Sequence, residues 1–118
     1  MNTQDVANDL VAMLKAGKFA ESGEKYWADD VVSVEPMGDS AVVKGKAAAK
    51  GKGDWWMGAH EFHSLQVEGP YVNGDQFTVR FTMDVTEKAT GARRTMDEHA
   101  LYTVKDGKIT EERFFYGG

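Results

Sequence analysis

Apolar residues near the start of the chain recur with a helical period. Val6, Leu10, Met13 and Leu14 fall on a single stripe, as in a helix with one face in a core. Thr3 or Asp5 can cap it and Gly17 is placed to end it, so a helix is predicted over 3–16. A shorter helix is predicted over 18–28, where Phe19, Gly23, Tyr26 and Trp27 share a face and Ala28-Asp29-Asp30 closes it. VVSVEP (31–36) reads as a short strand stopped by Pro36. MGDSAVV (37–43) reads as a turn and a brief extended piece. Gly45 opens a third helix over about 45–58 with two neighbouring stripes. One holds Ala48, Lys52, Trp55 and Ala59; the other holds Ala49, Gly53, Trp56 and His60.

From residue 61 the period changes to two. FHSLQVEG alternates with His63, Leu65 and Val67 on one side. Asn73-Gly74 is a hairpin signal between two extended runs. In QFTVRFTMDVTE, Phe77, Val79, Phe81, Met83 and Val85 face one way and Thr78, Arg80, Thr82, Asp84 and Thr86 the other. KATGAR turns the chain into TMDEHALYTV, and Asp106-Gly107 turns it into KITEERFFY. Helices followed by an antiparallel meander predict an α+β domain with helices on one face of a curved sheet. The 118 residues fit one domain, 1–118, large enough to bury roughly 65% of its unfolded surface without a staple.

Composition narrows the function classes. The chain has no cysteine, which removes disulfides, thiol nucleophiles and zinc–cysteine sites. Its net charge of −5 argues against a nucleic-acid partner. No stretch approaches the ~18 apolar residues of a membrane span, and MNTQDVANDL is not a secretory signal. The expectation is a cytoplasmic protein with neither nucleic acid nor membrane as partner. GxSxG, Walker-type, Rossmann and HExxH patterns do not occur.

The candidate chemistry lies in carboxylates on apolar strands. Met96, Glu98, Ala100, Tyr102 and Val104 share one face of their strand, the more apolar one, with Glu98 in the middle. A buried carboxylate finds a donor or takes up a proton, so Glu98 is either a structural partner or a pocket acid or base. Glu35, between Val34 and Pro36, poses the same choice between a solvated strand end and a pocket group. His60 and His63 stand three apart, but the segment changes geometry between them. They are expected as core or rim histidines, one of them lining a cavity as proton carrier or donor, and no metal site is expected. Trp27, Trp55 and Trp56 read as packing residues, with one facing a cavity. Lys44, Lys46, Lys50 and Lys52 read as a solvated face. Arg80 and Asp84 read as surface or dimer-interface residues.

Three segments carry a resemblance: YWADDVVSVEPMG followed by KGKAAA, VEGPYVNGDQFTVRF, and YTVKDGKITEERFFY. Together the chain resembles the SnoaL-like and ketosteroid-isomerase-like branch of the nuclear transport factor 2-like superfamily. The resemblance implies a cone-shaped, strongly bent sheet closed by helices around an apolar pocket, and a homodimer through the outer sheet face. It implies that Glu35, just before Pro36, takes the place of a general base. A second, protonated carboxyl falls near 97–100, at Glu98 or His99. The late-strand acid of the cyclases corresponds to Glu112. The tyrosine that isomerases carry on their first helix has no counterpart, since the first tyrosine here is Tyr26.

The mechanism this implies is proton shuttling beside a carbonyl of a small hydrophobic ligand, as in an isomerase, cyclase or lyase. Glu35 is the base, and Glu98 with His60 or His63 forms the donor side. Trp27, Trp56, Phe81, Met83, Tyr102, Glu112 and Phe114 are expected to contact the ligand, and no cofactor is required. A ligand-binding module without chemistry and an interaction domain using the outer sheet face are the competing readings.

Overall fold

Helix α1 (Thr3–Lys15) is secured at both ends in the computed structural model, which describes residues 2–36 and 41–116. Its cap is Asn2, one residue before the expected Thr3. The Asn2 side chain accepts from the Asp5 amide at 2.8 Å, and the Asp5 carboxylate accepts from the Asn2 amide at 3.3 Å. This reciprocal pairing satisfies two otherwise orphaned donors. At the other end Gly17 takes φ +78°. The Lys18 amide then reaches the Met13 carbonyl and the Gly17 amide the Leu14 carbonyl, a Schellman closure. Val6, Ala7, Leu10, Val11 and Leu14 form the buried stripe.

Helix α2 (Phe19–Tyr26) is shorter than its pattern predicts. Trp27, expected on its face, and Ala28–Asp30, expected to close it, instead begin strand β1 (Trp27–Val34). The cause is tertiary. β1 runs parallel to the last strand, β6 (Lys108–Tyr116), and Trp27 pairs with Ile109 there. β2 (Val42–Lys44) pairs antiparallel with β1, and α3 (Lys46–Ala59) follows. The turn expected over 37–40 lies outside the described residues.

The meander consists of β3 (His60–Asn73), β4 (Gln76–Glu87), β5 (Arg93–Lys105) and β6. The strands order as β2-β1-β6-β5-β4-β3 in one mixed sheet that does not close on itself. Asp106 and Gly107 both take positive φ, 52° and 77°, and make the tight β5–β6 turn between the paired Lys105 and Lys108.

β3 carries register shifts between Phe62 and Ser64 and between Glu68 and Tyr71. Bulges of this kind bend a strand. The first one breaks the expected alternation: Phe62, Leu65 and Val67 are partly buried, whereas His63 is exposed. β4 and β5 keep strict alternation. Phe77, Val79, Phe81, Met83 and Val85 are buried on the inner face beside Ala100, Tyr102 and Val104. α1 packs across β3, β4 and β5 to close this core, where each fully buried Val, Phe or Met side chain contributes about 1.5–3 kcal/mol. Phe77 stacks on its cross-strand partner Tyr102 with ring centroids 4.8 Å apart. The result is the expected α+β architecture. Among the described residues no helix is long and apolar enough to cross a membrane.

Candidate functional site

The core does not fill the space under the helices. A cavity of about 830 Å³ lies between the inner sheet face, α2 and α3. Strand register decides which side chains enter it. On β5 the alternation turns Glu98 inward with Met96 and Tyr102, while His99 is exposed. Glu98 stands opposite Phe81 on β4 and Tyr116 on β6, and Tyr102 stands opposite Glu112. Met83, Phe114 and Trp27 add to the wall, and Trp56 reaches it from α3.

Glu112 is the deepest carboxyl, 5% exposed. It accepts from the Trp27 indole N–H and, at 3.2 Å, from the Ser33 hydroxyl, its register partner on β1. Burial pushes its pKa up, opposed by the charge of Lys52 and by these two hydrogen bonds. Trp27 can reach it because residue 23 is glycine. A Cβ there would stand 2.6–2.7 Å from the indole ring atoms.

Glu35 follows β1 on the face of Val31 and Ser33, both fully buried, which answers the question alternation left open. Its backbone amide donates to the Ala41 carbonyl at 2.6 Å, and its carboxylate meets Lys52 Nζ at 2.9 Å. Both side chains are largely buried, Lys52 being 21% and Glu35 22% exposed. Lys52 also donates to the Ser33 hydroxyl and lies 5.0 Å from the Phe114 ring centroid. The Tyr116 phenol hydrogen-bonds to Glu35. Burial, then the Glu35 charge, hold its pKa at about 12.

Glu98 stands in a different environment. Burial, then repulsion from Glu35, raise it from 4.5 to about 7, against a smaller opposing pull from Lys52. Burial pushes the Tyr102 phenol well above its ordinary value. One cavity therefore holds a carboxylate paired with a cation and two carboxyls biased toward their protonated forms. This is the divergence of environments that separates acid from base roles.

The histidines do not join this group. His60 is buried at the α3–β3 junction, with Nδ1 3.0 Å from the Trp56 carbonyl and its ring 3.9 Å from the Trp56 ring. It does not line the cavity. His63 sits at the bulge, exposed, with Nε2 2.7 Å from the Thr86 hydroxyl. The expected place of either on the donor side is therefore corrected: the bulge carries one away and the helix end encloses the other. Trp55, expected as packing, is 67% exposed at the cavity rim. Among the described residues no group of three or more His, Asp or Glu is arranged to hold a metal ion.

The reading of Lys52 as part of a solvated face is also corrected. Lys50 does face solvent, in an i,i+4 pair with Asp54, but Lys52 reaches from α3 to Glu35 and Ser33 and is only 21% exposed. No local signal marks it, since Ala48 and Trp55 on its own stripe are both exposed. Ser33 and Tyr116 did carry a signal, each two residues from a candidate acid or aromatic on the same face, Glu35 and Phe114.

A family model for the SnoaL-like domain matches residues 1–116. The chain belongs to the SnoaL-like domain family. A Mesorhizobium loti protein, provisionally named a SnoaL-like polyketide cyclase and, within the same name, a carbohydrate phosphatase, is 57% identical to this SnoaL-like domain. The match covers 98% of this chain and 100% of that one, with a TM-score of 0.95. More distant structures share the fold. A Bacillus subtilis protein provisionally named an isomerase superposes with a TM-score of 0.80 at 18% identity, over 99% of this chain and 90% of that one. A Catenulispora acidiphila protein with a ketosteroid isomerase-like fold, solved in complex with trimethylamine, gives 0.69 at 18% identity, over 83% and 74%. Curated proteins yield no match to this SnoaL-like domain.

Proposed function

We propose that this SnoaL-like domain binds a small hydrophobic carbonyl compound in its cavity and moves a proton at the carbon beside the carbonyl, without a cofactor. One observation carries the reading: two carboxyl groups line the same cavity in contrasting environments. Glu35, beside Lys52, is the base that takes the proton. Glu98, raised to about 7, is the acid that donates to the developing oxyanion. The C–H electron pair becomes the enolate, and the reverse transfer to another carbon completes an isomerisation or supports a cyclisation. Phe81, Met83, Phe114, Trp27 and Trp56 supply apolar contact around the ligand, and Glu112 and Tyr102 supply polar atoms at the deep end. The names isomerase and polyketide cyclase among structural relatives accord with this chemistry.

The test is deuterium exchange at the acidic carbon of 2-tetralone, a small bicyclic ketone, in D2O. Wild type accelerates exchange over buffer, and Glu35→Gln reduces the acceleration by about 10²-fold or more, the usual worth of a general base. Acceleration that survives this substitution removes Glu35 from the role. A second reading has its own support: the Glu35–Lys52 pair leaves that carboxylate already neutralised, as in a module that binds without chemistry. Such a module gives saturable 2-tetralone binding and no exchange. The same proposal includes a homodimer through the outer sheet face, where Phe115 is 48% and Tyr71 63% exposed.

A further inference from the structure

We infer that Lys52 is the positioning residue of this site: from α3 it aims the Glu35 carboxylate into the cavity and supplies the fixed cation against which the site's negative charge moves. The inference rests on the proton-transfer reading above. Its support is geometric. Lys52 Nζ reaches across from α3 to Glu35 at 2.9 Å and also donates to the Ser33 hydroxyl, which in turn donates to Glu112. The ammonium therefore connects two carboxyl groups from separate segments, Glu35 just after β1 and Glu112 on β6. Its approach to the Phe114 ring, 5.0 Å from the centroid, holds the stem on the apolar wall. A cation that served only to solvate the helix would turn outward, as Lys50 does on the next position but one.

The ammonium meets Glu35 and Ser33 directly, and it shares the cavity with Arg94, Glu98 and Tyr102 from β5 and with Glu112 and Tyr116 from β6. Asp54 of α3 lines the same cavity and pairs with Lys50. An ionised carboxylate in such a place is sustained by a cation within hydrogen-bond reach. When Glu35 takes the ligand's proton it becomes neutral, and the negative charge appears on the ligand oxygen. The negative charge thus moves from Glu35 to the ligand beside the same cation, and the transfer adds no further charge to a poorly solvated space. The same contact makes α3 part of the site. Gly51, Gly53 and Gly58 lower the intrinsic preference of this segment for helix, and the Lys52 bridge is one of the links that fasten it to the sheet.

The experiment compares wild type, Lys52→Met and Lys52→Arg by ¹³C NMR of labelled glutamate side chains across pH, without ligand. The Glu35 carboxyl takes up its proton at a pH higher by about one unit or more in Lys52→Met than in wild type, as expected when an adjacent opposite charge is removed. Lys52→Arg keeps the wild-type midpoint, because it restores the charge. The acid limb of the 2-tetralone exchange profile moves with the same midpoint. Lys52→Gln replaces Lys52→Met if the latter loses amide dispersion. An unchanged Glu35 midpoint in the folded neutral variant overturns the inference, whether or not wild type exchanges tetralone. A midpoint that moves as expected while wild type catalyses no exchange leaves the Lys52–Glu35 coupling standing and sinks the proton-transfer reading instead.

Discussion

Glu98 makes the protein's stability depend on pH in a direction opposite to the common behaviour of surface carboxylates. In the folded state it titrates near 7, against an ordinary value of 4.5, chiefly because it is buried. The folded protein therefore holds this proton more tightly than the unfolded chain does. The contribution is fully present below about pH 4.5 and is lost as pH rises through about 7. At 1.36 kcal/mol for each tenfold change, the gap corresponds to about 3 kcal/mol of stability lost between those limits. Glu112, raised by deeper burial, acts in the same direction. Glu98→Gln cannot ionise, so it removes the Glu98 part of this dependence. The measurement is urea unfolding of both proteins at intervals from about pH 5 to about pH 8. The two stability curves diverge with rising pH, the Gln variant gaining up to about 3 kcal/mol relative to wild type, on the order of 10 °C in Tm for a domain of this size. An offset that is the same at every pH reports only altered hydrogen bonding; the difference in slope is the quantity at issue. Curves that run parallel refute the argument, since they mean that Glu98 ionises as readily folded as unfolded.

Two other outcomes bear on the architecture. Gly23→Ala places a methyl carbon 2.6–2.7 Å from the Trp27 ring. The indole must move off Glu112, with a cost of about 1–3 kcal/mol as for other overpacked sites. The Trp27 indole N–H resonance then shifts and exchanges faster with solvent; an unmoved resonance shows that the contact is not tight. For the outer face, light scattering gives the mass of a dimer for wild type and of a monomer for Phe115→Asp. A wild type that is monomeric at working concentration removes that part of the proposal.

Much of this molecule is legible along the chain because its later strands obey a period of two. Phe77 to Val85 alternate without interruption, so the inner face of β4 follows from sequence alone. On β5 the more apolar face, with Glu98 on it, is the inner one, and the pairing of Glu98 with Phe81 and Tyr116 fixes the choice over His99. Two helix stripes and the Asp106-Gly107 turn were equally readable, since they depend on neighbours a few residues away. What required the folded chain were events between distant segments. Trp27 leaves its helix because β6, more than eighty positions later, offers a strand to pair with. His63 is turned out by a bulge, which local pattern does not announce because one inserted residue has no signature of its own. Lys52 resembles its lysine neighbours until α3 is set over the sheet and one of its two stripes is chosen; only then does a flexible cation find Glu35 and Ser33. Periodicity records which way a side chain points relative to its own backbone. Which charges meet inside the cavity depends on how separate elements are laid against one another, and that information lies in long-range packing.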